Sequence, residues 1–118
     1  MHTHTIDDVL RLQRDLARIY ECLEEAASEA GHFGLTGRQL IILAGMTDGA
    51  SVGDIDAAAY SGKNISYNIQ KLVERGYMTR GGNDLDRRLR PITRTDKGRD
   101  LAALVLRALA PAPAQEAA

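Results

Sequence analysis

GKNISYNIQKLVERGYMTR, residues 62–80, decides how this chain folds. Ile65, Ile69, Leu72 and Val73 recur at i, i+4, i+7 and i+8, which marks one apolar face of a helix. The opposite face carries Lys63, Asn64, Ser66, Tyr67, Gln70 and Lys71, and no acidic residue stands between Lys63 and Val73. A solvated helix face usually mixes both signs of charge, often as i,i+4 pairs. Lys, Asn, Ser and Gln are instead the residue types that bond base edges and phosphates. Tyr67 adds a ring for apolar contact and a hydroxyl. Glu74, Arg75 and Gly76 close the helix, with Gly76 at the position that favours a left-handed residue. A solvated surface helix that binds nothing shows the same periodicity, so the flanking segments must discriminate.

Upstream, SVGDIDAAAY places Ser51 and Asp54 at capping-box spacing before a short Ala-rich helix. YSGK then supplies a brief turn with glycine. A short helix, such a turn and a second helix form a helix-turn-helix unit, for which Ala57, Ala58 and Ala59 are small enough to allow a close crossing. An ordinary corner between two helices has a similar pattern. Before it, Thr36 and Gln39 again have capping-box spacing, and Leu40, Ile41, Leu43, Ala44 and Met46 form the expected buried side.

The first helix is expected over about residues 6–30, capped by Thr5, with Asp7 and Asp8 placed favourably against the helix dipole. Val9, Leu12, Leu16, Ile19 and Leu23, continued by Ala26 and Ala30, follow 3-4 spacing and make a heptad-like seam. Ile6, Leu10, Ala17, Tyr20 and Ala27 form a second stripe. Two stripes need two surfaces, the rest of the domain and a second copy of the chain, so the helix is expected to dimerise. Deep burial of one helix in a monomer core is the alternative.

Downstream, Tyr77–Arg80 and Ile92–Thr95 predict two strands, with Gly81, Gly82, Asn83 and Asp84 as turn residues and Pro91 confining the return strand to an edge. The tip of this hairpin holds Arg87, Arg88 and Arg90. Arginines on a protruding ribbon suit a minor groove, although a charged tip also serves solubility. From Asn64 to Leu101 the chain resembles the winged helix-turn-helix of MarR-type transcriptional regulators. The resemblance rests on ISYNIQKLVERGYMTR, on DRR at Asp86–Arg88 and on TDKG at Thr95–Gly98. It implies that Asp86 braces the wing while Arg88 reaches the DNA backbone or minor groove. It extends as an order of helices over residues 6–109. Arg94 stands where the family usually has Leu, and Pro91 in the return strand is unusual for it.

The returning helix is expected over about 96–109 with Leu101, Leu104, Val105, Ala108 and Leu109 as its apolar pattern. PAPAQEAA at 111–118 is expected to be a disordered tail, which makes the chain a short variant without the family's final C-terminal helix. Dimerisation would then rest on the first and last helices, through Leu104 and Leu109 beside the first-helix seam.

The totals fit this reading. With 118 residues, no Trp and one Phe, the chain suits a single domain over residues 1–110 with an aliphatic core. Net charge is −1, but residues 1–60 hold four Arg against ten Asp or Glu, whereas residues 61–100 hold ten Lys or Arg against five Asp or Glu. Such segregation suits a polyanionic partner, or complementary packing between the segments. No signal peptide or membrane-spanning run is recognisable, and a cytoplasmic protein, associated with the nucleoid when bound to DNA, is expected. His2, His4 and His32 offer no metal-ligand spacing, and no catalytic constellation or cofactor-binding loop is present, so neither metal, cofactor nor enzymatic activity is expected. Cys22 lies among Glu21, Glu24 and Glu25. Reactive cysteines favour electropositive surroundings, so it is expected to be a structural thiol.

The sequence therefore predicts a mainly α fold with a small β-hairpin wing, a dimeric winged helix-turn-helix. Its expected partners are double-stranded DNA and a second copy of itself, without a membrane. A small-molecule effector is compatible with the resemblance but has no support in the residues. A winged-helix adaptor or antagonist of another regulator is the rival reading, which the acidic first half suits.

Overall fold

The capping patterns set the helix starts. In the computed structural model, which describes residues 4–60, 64–81 and 90–110, three capping boxes are closed. Thr5 Oγ1 accepts from Asp8 N at 3.1 Å while Asp8 Oδ2 accepts from Thr5 N, opening α1 (Ile6–Glu29). Thr36 and Gln39 do the same for α2 (Gly37–Gly45), and Ser51 with Asp54 for α3 (Val52–Ile55). Losing such a cap costs a helix about 1 kcal/mol. The chain continues through a π-helical turn (Asp56–Tyr60), α4 (Ile65–Glu74), β1 (Met78–Arg80), β2 (Ile92–Arg94) and α5 (Asp96–Leu109).

Two helices end on the same device. Gly31 and Gly76 have φ of +92° and +85°. Each lets the next residue bond back into the helix, His32 N to Ala27 O at 2.8 Å and Tyr77 N to Leu72 O at 2.9 Å. These are Schellman turns, and they need a residue that tolerates left-handed backbone.

α5 packs against both α1 and α2, and α4 packs against α2, α3 and β1. Between them lies an aliphatic core in which Leu40, Ile42, Leu43, Ile69, Leu72, Ile92, Leu101 and Val105 are fully enclosed. Ile42, which the spacing of α2 does not select, is among them. α2 is covered by α1, α4 and α5 together, so its buried arc exceeds one stripe.

Two other expectations, for the alanines of the first helix-turn-helix element and for Cys22, are corrected. Ala57 and Ala58 are exposed, and Ile55 makes the buried contact of the first helix-turn-helix element. A π turn carries more residues per turn, so α-helical spacing no longer locates its faces. Pro91 stands just before β2, which is an outer strand of the two-stranded ribbon as expected, with one isolated bridge beyond it. Ile92 is flanked on one side by Arg80 in the antiparallel ladder and on the other by Ala50, whose O accepts from Ile92 N at 2.8 Å. Proline removes only its own N–H, so the next residue can bond normally. Cys22 is exposed, one position outside the buried line of α1.

The first-helix seam divides. Leu23 is 1% exposed and belongs with Ala27 to the protomer's own core, which withdraws it from the set expected to dimerise. Val9, Leu12, Leu16 and Ile19 remain exposed, Leu12 to 62%. On α5, Leu109 is exposed while Leu104 packs half-buried against the core. Leu106, outside the expected pattern, is 53% exposed.

Close approach accounts for one further residue. A Cβ on Gly98 would overlap the Tyr77 carbonyl oxygen, which is fixed backbone. Gly98→Ala should therefore destabilise the protein by about 2 kcal/mol, in the range of overpacked cores. Gly53→Ala, whose new Cβ would have only Ser51 Oγ at 3.8 Å, should be neutral or slightly stabilising. Denaturant unfolding of the two variants checks this pair.

Candidate nucleic-acid interface

α4 presents its polar face because its other face is tightly held. Ile65, Ile69 and Leu72 are buried, and Val73 is half-buried. Asn68 is buried among them, a polar residue on the apolar side. Its Oδ1 accepts from Gln39 Nε2 at 3.3 Å, while Gln39 Oε1 accepts from Thr36 N at 3.1 Å. One glutamine thus caps α2 and satisfies the buried amide of α4. Leaving such a group unpaired costs about 1–3 kcal/mol, so this bond fixes the rotation of α4 against α2.

The far end of α4 is anchored by cations. Arg75 donates to the carbonyls of Phe33 and, at 3.0 Å, Gly34. Lys97 Nζ donates to Arg75 O at 3.1 Å and lies 4.4 Å from the centre of the Tyr77 ring. Tyr77 OH and His32 Nδ1 share a hydrogen bond of 2.9 Å. Burial raises the Tyr77 pKa above the usual tyrosine range, with the nearby Arg75 charge opposing it, so the hydroxyl stays neutral in this contact.

Held in this way, α4 exposes Asn64, Ser66, Tyr67 and Gln70, with Lys71 half-buried beside them. Tyr67 is 59% exposed, and Lys71 Nζ lies 5.4 Å from its ring centre. Asn64 occupies the N-cap without a side-chain cap bond. Uncapped amides at a helix start are donors suited to anions. Gln70 contacts two neighbours, Glu74 and Arg80, and Glu74 also pairs with Lys71 at 3.5 Å. Lys63, Asp86, Arg87 and Arg88 lie outside the described residues, as does the 111–118 tail. Arg90 is half-buried and interacts within the protein.

The base of the wing rests on Arg94. Its backbone N and Nε both donate to Asp48 Oδ1, at 2.9 and 3.0 Å, and its Nη1 donates to Leu43 O at 3.2 Å. Arg99 donates to Arg94 O at 2.8 Å, pairs with Asp96 and approaches Asp48 at 3.7 Å. The departure at position 94 is thus a strut from β2 to the end of α2. Four cations of the basic segment (Arg75, Arg94, Lys97 and Arg99) hold the fold together, so its positive balance is partly complementary packing.

Asn68, Asp48 and Arg80 are functional positions that the sequence reading does not select, and nothing in the spacing marks Asp48 or Arg80. Asn68 shares the apolar phase of Ile65, Ile69 and Leu72, which is a usable sign of a buried polar contact. Asp48 and Arg94 are 46 residues apart, and nothing local marks their pairing. Surface hollows among the described residues include one of about 380 Å³ beside Glu21, Glu24, Glu25 and Ser28 and one of about 320 Å³ beside Met46, Asp48, Asp54 and Ala58. Among the described residues no three His, Cys, Asp or Glu converge as a metal site, and no helix is long and apolar enough to cross a membrane.

No family model matches the sequence, and no curated protein matches it. Solved structures do. The multiple antibiotic-resistance repressor MarR from Listeria monocytogenes is similar with a TM-score of 0.62 and 22% identity, over 88% of this chain and 72% of that one. Wild-type MarR from E. coli, in its apo form, gives a TM-score of 0.65 and 15% identity, over 98% of this chain and 84% of that one. A MarR-family protein from Mycobacterium tuberculosis gives 0.59 and 24%, over 92% and 85%. These likenesses show the fold, a MarR-type winged helix-turn-helix.

The wing strut carries a pH dependence. The hydrogen bond from Arg94, opposed by partial desolvation and aided by the Arg94 and Arg99 charges, holds the Asp48 carboxyl below the usual aspartate range. A pKa lowered by folding stabilises above the unfolded value, about pH 4. That stabilisation is lost as pH falls through the lower folded value. Urea midpoints between pH 7 and pH 2 should show Asp48→Asn less stable than wild type at neutral pH, with the difference vanishing at the acid end.

Proposed function

We propose that this chain is a sequence-specific, double-stranded DNA-binding transcriptional regulator that acts as a homodimer. α4 enters the major groove and the wing meets the minor groove. The observation that carries this reading is the exposed face of α4. Asn64, Ser66, Tyr67 and Gln70 project together from a helix whose rotation is held by Asn68 and whose first turn has no side-chain cap. Lys71 extends that face, Lys63 is proposed to act with it, and base-edge or phosphate contact suits these residue types. Arg87, Arg88 and Arg90 serve the wing, with Asp86 bracing it. The likeness of the fold to the MarR structures supports the same reading.

The dimer is proposed through Val9, Leu12, Leu16 and Ile19 of α1, with Leu106 and Leu109 of α5 and a peripheral share for Leu104. An exposed apolar surface of this kind on two packed helices favours burial against a second copy. Two-fold symmetry would place the α4 helices in successive major grooves, about 34 Å apart. The acidic side of α1 around Glu21, Glu24 and Glu25 is the feature that favours the rival, a protein-binding adaptor.

Salt separates the two. If about six to ten phosphates are neutralised, the logarithm of the duplex association constant should fall against the logarithm of salt concentration with a slope of about −5 to −9. No duplex binding at low salt would exclude the DNA reading. Leu16→Glu should yield monomers in sedimentation velocity and weaken duplex binding at least tenfold; an intact dimer would exclude the proposed α1 interface.

A further inference from the structure

Gln70 has one amide orientation, set by its two neighbours. Arg80 Nη2, on β1, donates to Gln70 Oε1 at 3.1 Å, and Gln70 Nε2 donates to Glu74 Oε2 at 3.2 Å. A guanidinium has donors only, and a carboxylate has acceptors only. Turning the amide over would set its NH2 against the guanidinium and its oxygen against the carboxylate. Two charge-assisted hydrogen bonds would become two repulsions. Lys71 Nζ, 3.5 Å from Glu74 Oε1, holds the carboxylate from its other side. The orientation of a glutamine amide is often ambiguous; here donor-only and acceptor-only partners assign it.

We infer that Arg80 is a positioning residue for base readout, which by drawing the Gln70 carbonyl toward itself leaves an Nε2 N–H as the group that Gln70 turns to the bases. The inference rests on the DNA-binding reading above. A glutamine free to offer both its oxygen and its NH2 pairs bidentately with adenine. Gln70 has its oxygen turned to Arg80 and keeps an N–H beyond the one given to Glu74. That donor suits guanine and thymine, whose polar groups in the major groove are acceptors alone. Cytosine presents only an amino donor there, which the N–H opposes, and adenine sets an amino donor beside its N7 acceptor. The wing strand thereby contributes to specificity through α4, without itself touching a base.

The test uses the full chain and a set of duplexes that differ at one base pair, the pair at which Gln70→Ala relaxes preference. Wild type should bind guanine or thymine at that position about tenfold more tightly than cytosine, with adenine between them. Arg80→Met should reduce the ratio to within about twofold, and the Arg80→Met/Gln70→Ala double variant should match Gln70→Ala alone, the non-additivity of residues acting as one unit. The salt slope should not change. If Arg80→Met weakens every duplex alike, adds to Gln70→Ala and reduces the slope by about 0.9, Arg80 is a phosphate ligand and the inference is wrong. Equal wild-type affinity for all four bases would also overturn it.

A readout without DNA distinguishes this failure from failure of the functional reading. In the free protein, Arg80→Met should shift the Gln70 side-chain amide resonances, with Arg80→Lys shifting them less. Unmoved resonances overturn the positioning role even if duplex binding is strong. Shifted resonances in a protein that binds no duplex at low salt would overturn the DNA reading, and base readout with it.

Discussion

The turn at Gly76 and Tyr77 holds α4, the hairpin and α5 in one frame. Gly76 takes the left-handed conformation that ends α4, and Tyr77 bonds back to Leu72 as the chain leaves for β1. The same two residues receive the other end of the hairpin. Tyr77 O accepts from Thr95 N at 3.1 Å, and Gly76 O accepts from Thr95 Oγ1 at 2.6 Å. Thr95 Oγ1 also caps α5 through Gly98 N, and Gly98 lacks the side chain that would collide with Tyr77 O. α4 and the wing strands therefore share their boundary conditions. Through Arg75 and His32 this junction also reaches the turn between α1 and α2.

Much of this fold is legible in short patterns because its helix ends are determined locally. Thr5, Thr36 and Ser51 each bond to a residue three positions on, and Gly31 and Gly76 each act within their own turn. The apolar phase of Ile65, Ile69 and Leu72, and the polar face opposite, follow from helical geometry alone. Contacts between distant segments are another matter. Asn68 finds Gln39 and Arg94 finds Asp48 only after the helices have packed. Ile42 is buried because three helices surround α2, and Leu23 because the buried line of α1 crosses the seam before its end. The π turn after α3 defeats any reading that presumes 3.6 residues per turn.

The electrostatics of the chain change meaning with the structure in hand. The segregation of acidic and basic residues suits a polyanionic partner, yet Arg75, Arg94, Lys97 and Arg99 engage carbonyls, carboxylates and an aromatic ring within the protein. Long-range attraction to phosphate does not require these cations to be free, since their charge still contributes to the field. Directional recognition does require free donors and acceptors. Asn64, Ser66 and Tyr67 of α4 expose polar groups of this kind, so hydrogen-bonding shape is proposed as the more discriminating property of this interface than net charge.

Selection of bound duplexes from a random pool, using the intact protein, tests the central claim most directly. A homodimer that inserts two symmetry-related copies of α4 predicts an enriched palindromic motif, with half-sites centred about 10 base pairs apart or a multiple of that spacing. Enrichment of no motif, or of a single site without two-fold symmetry, would contradict it.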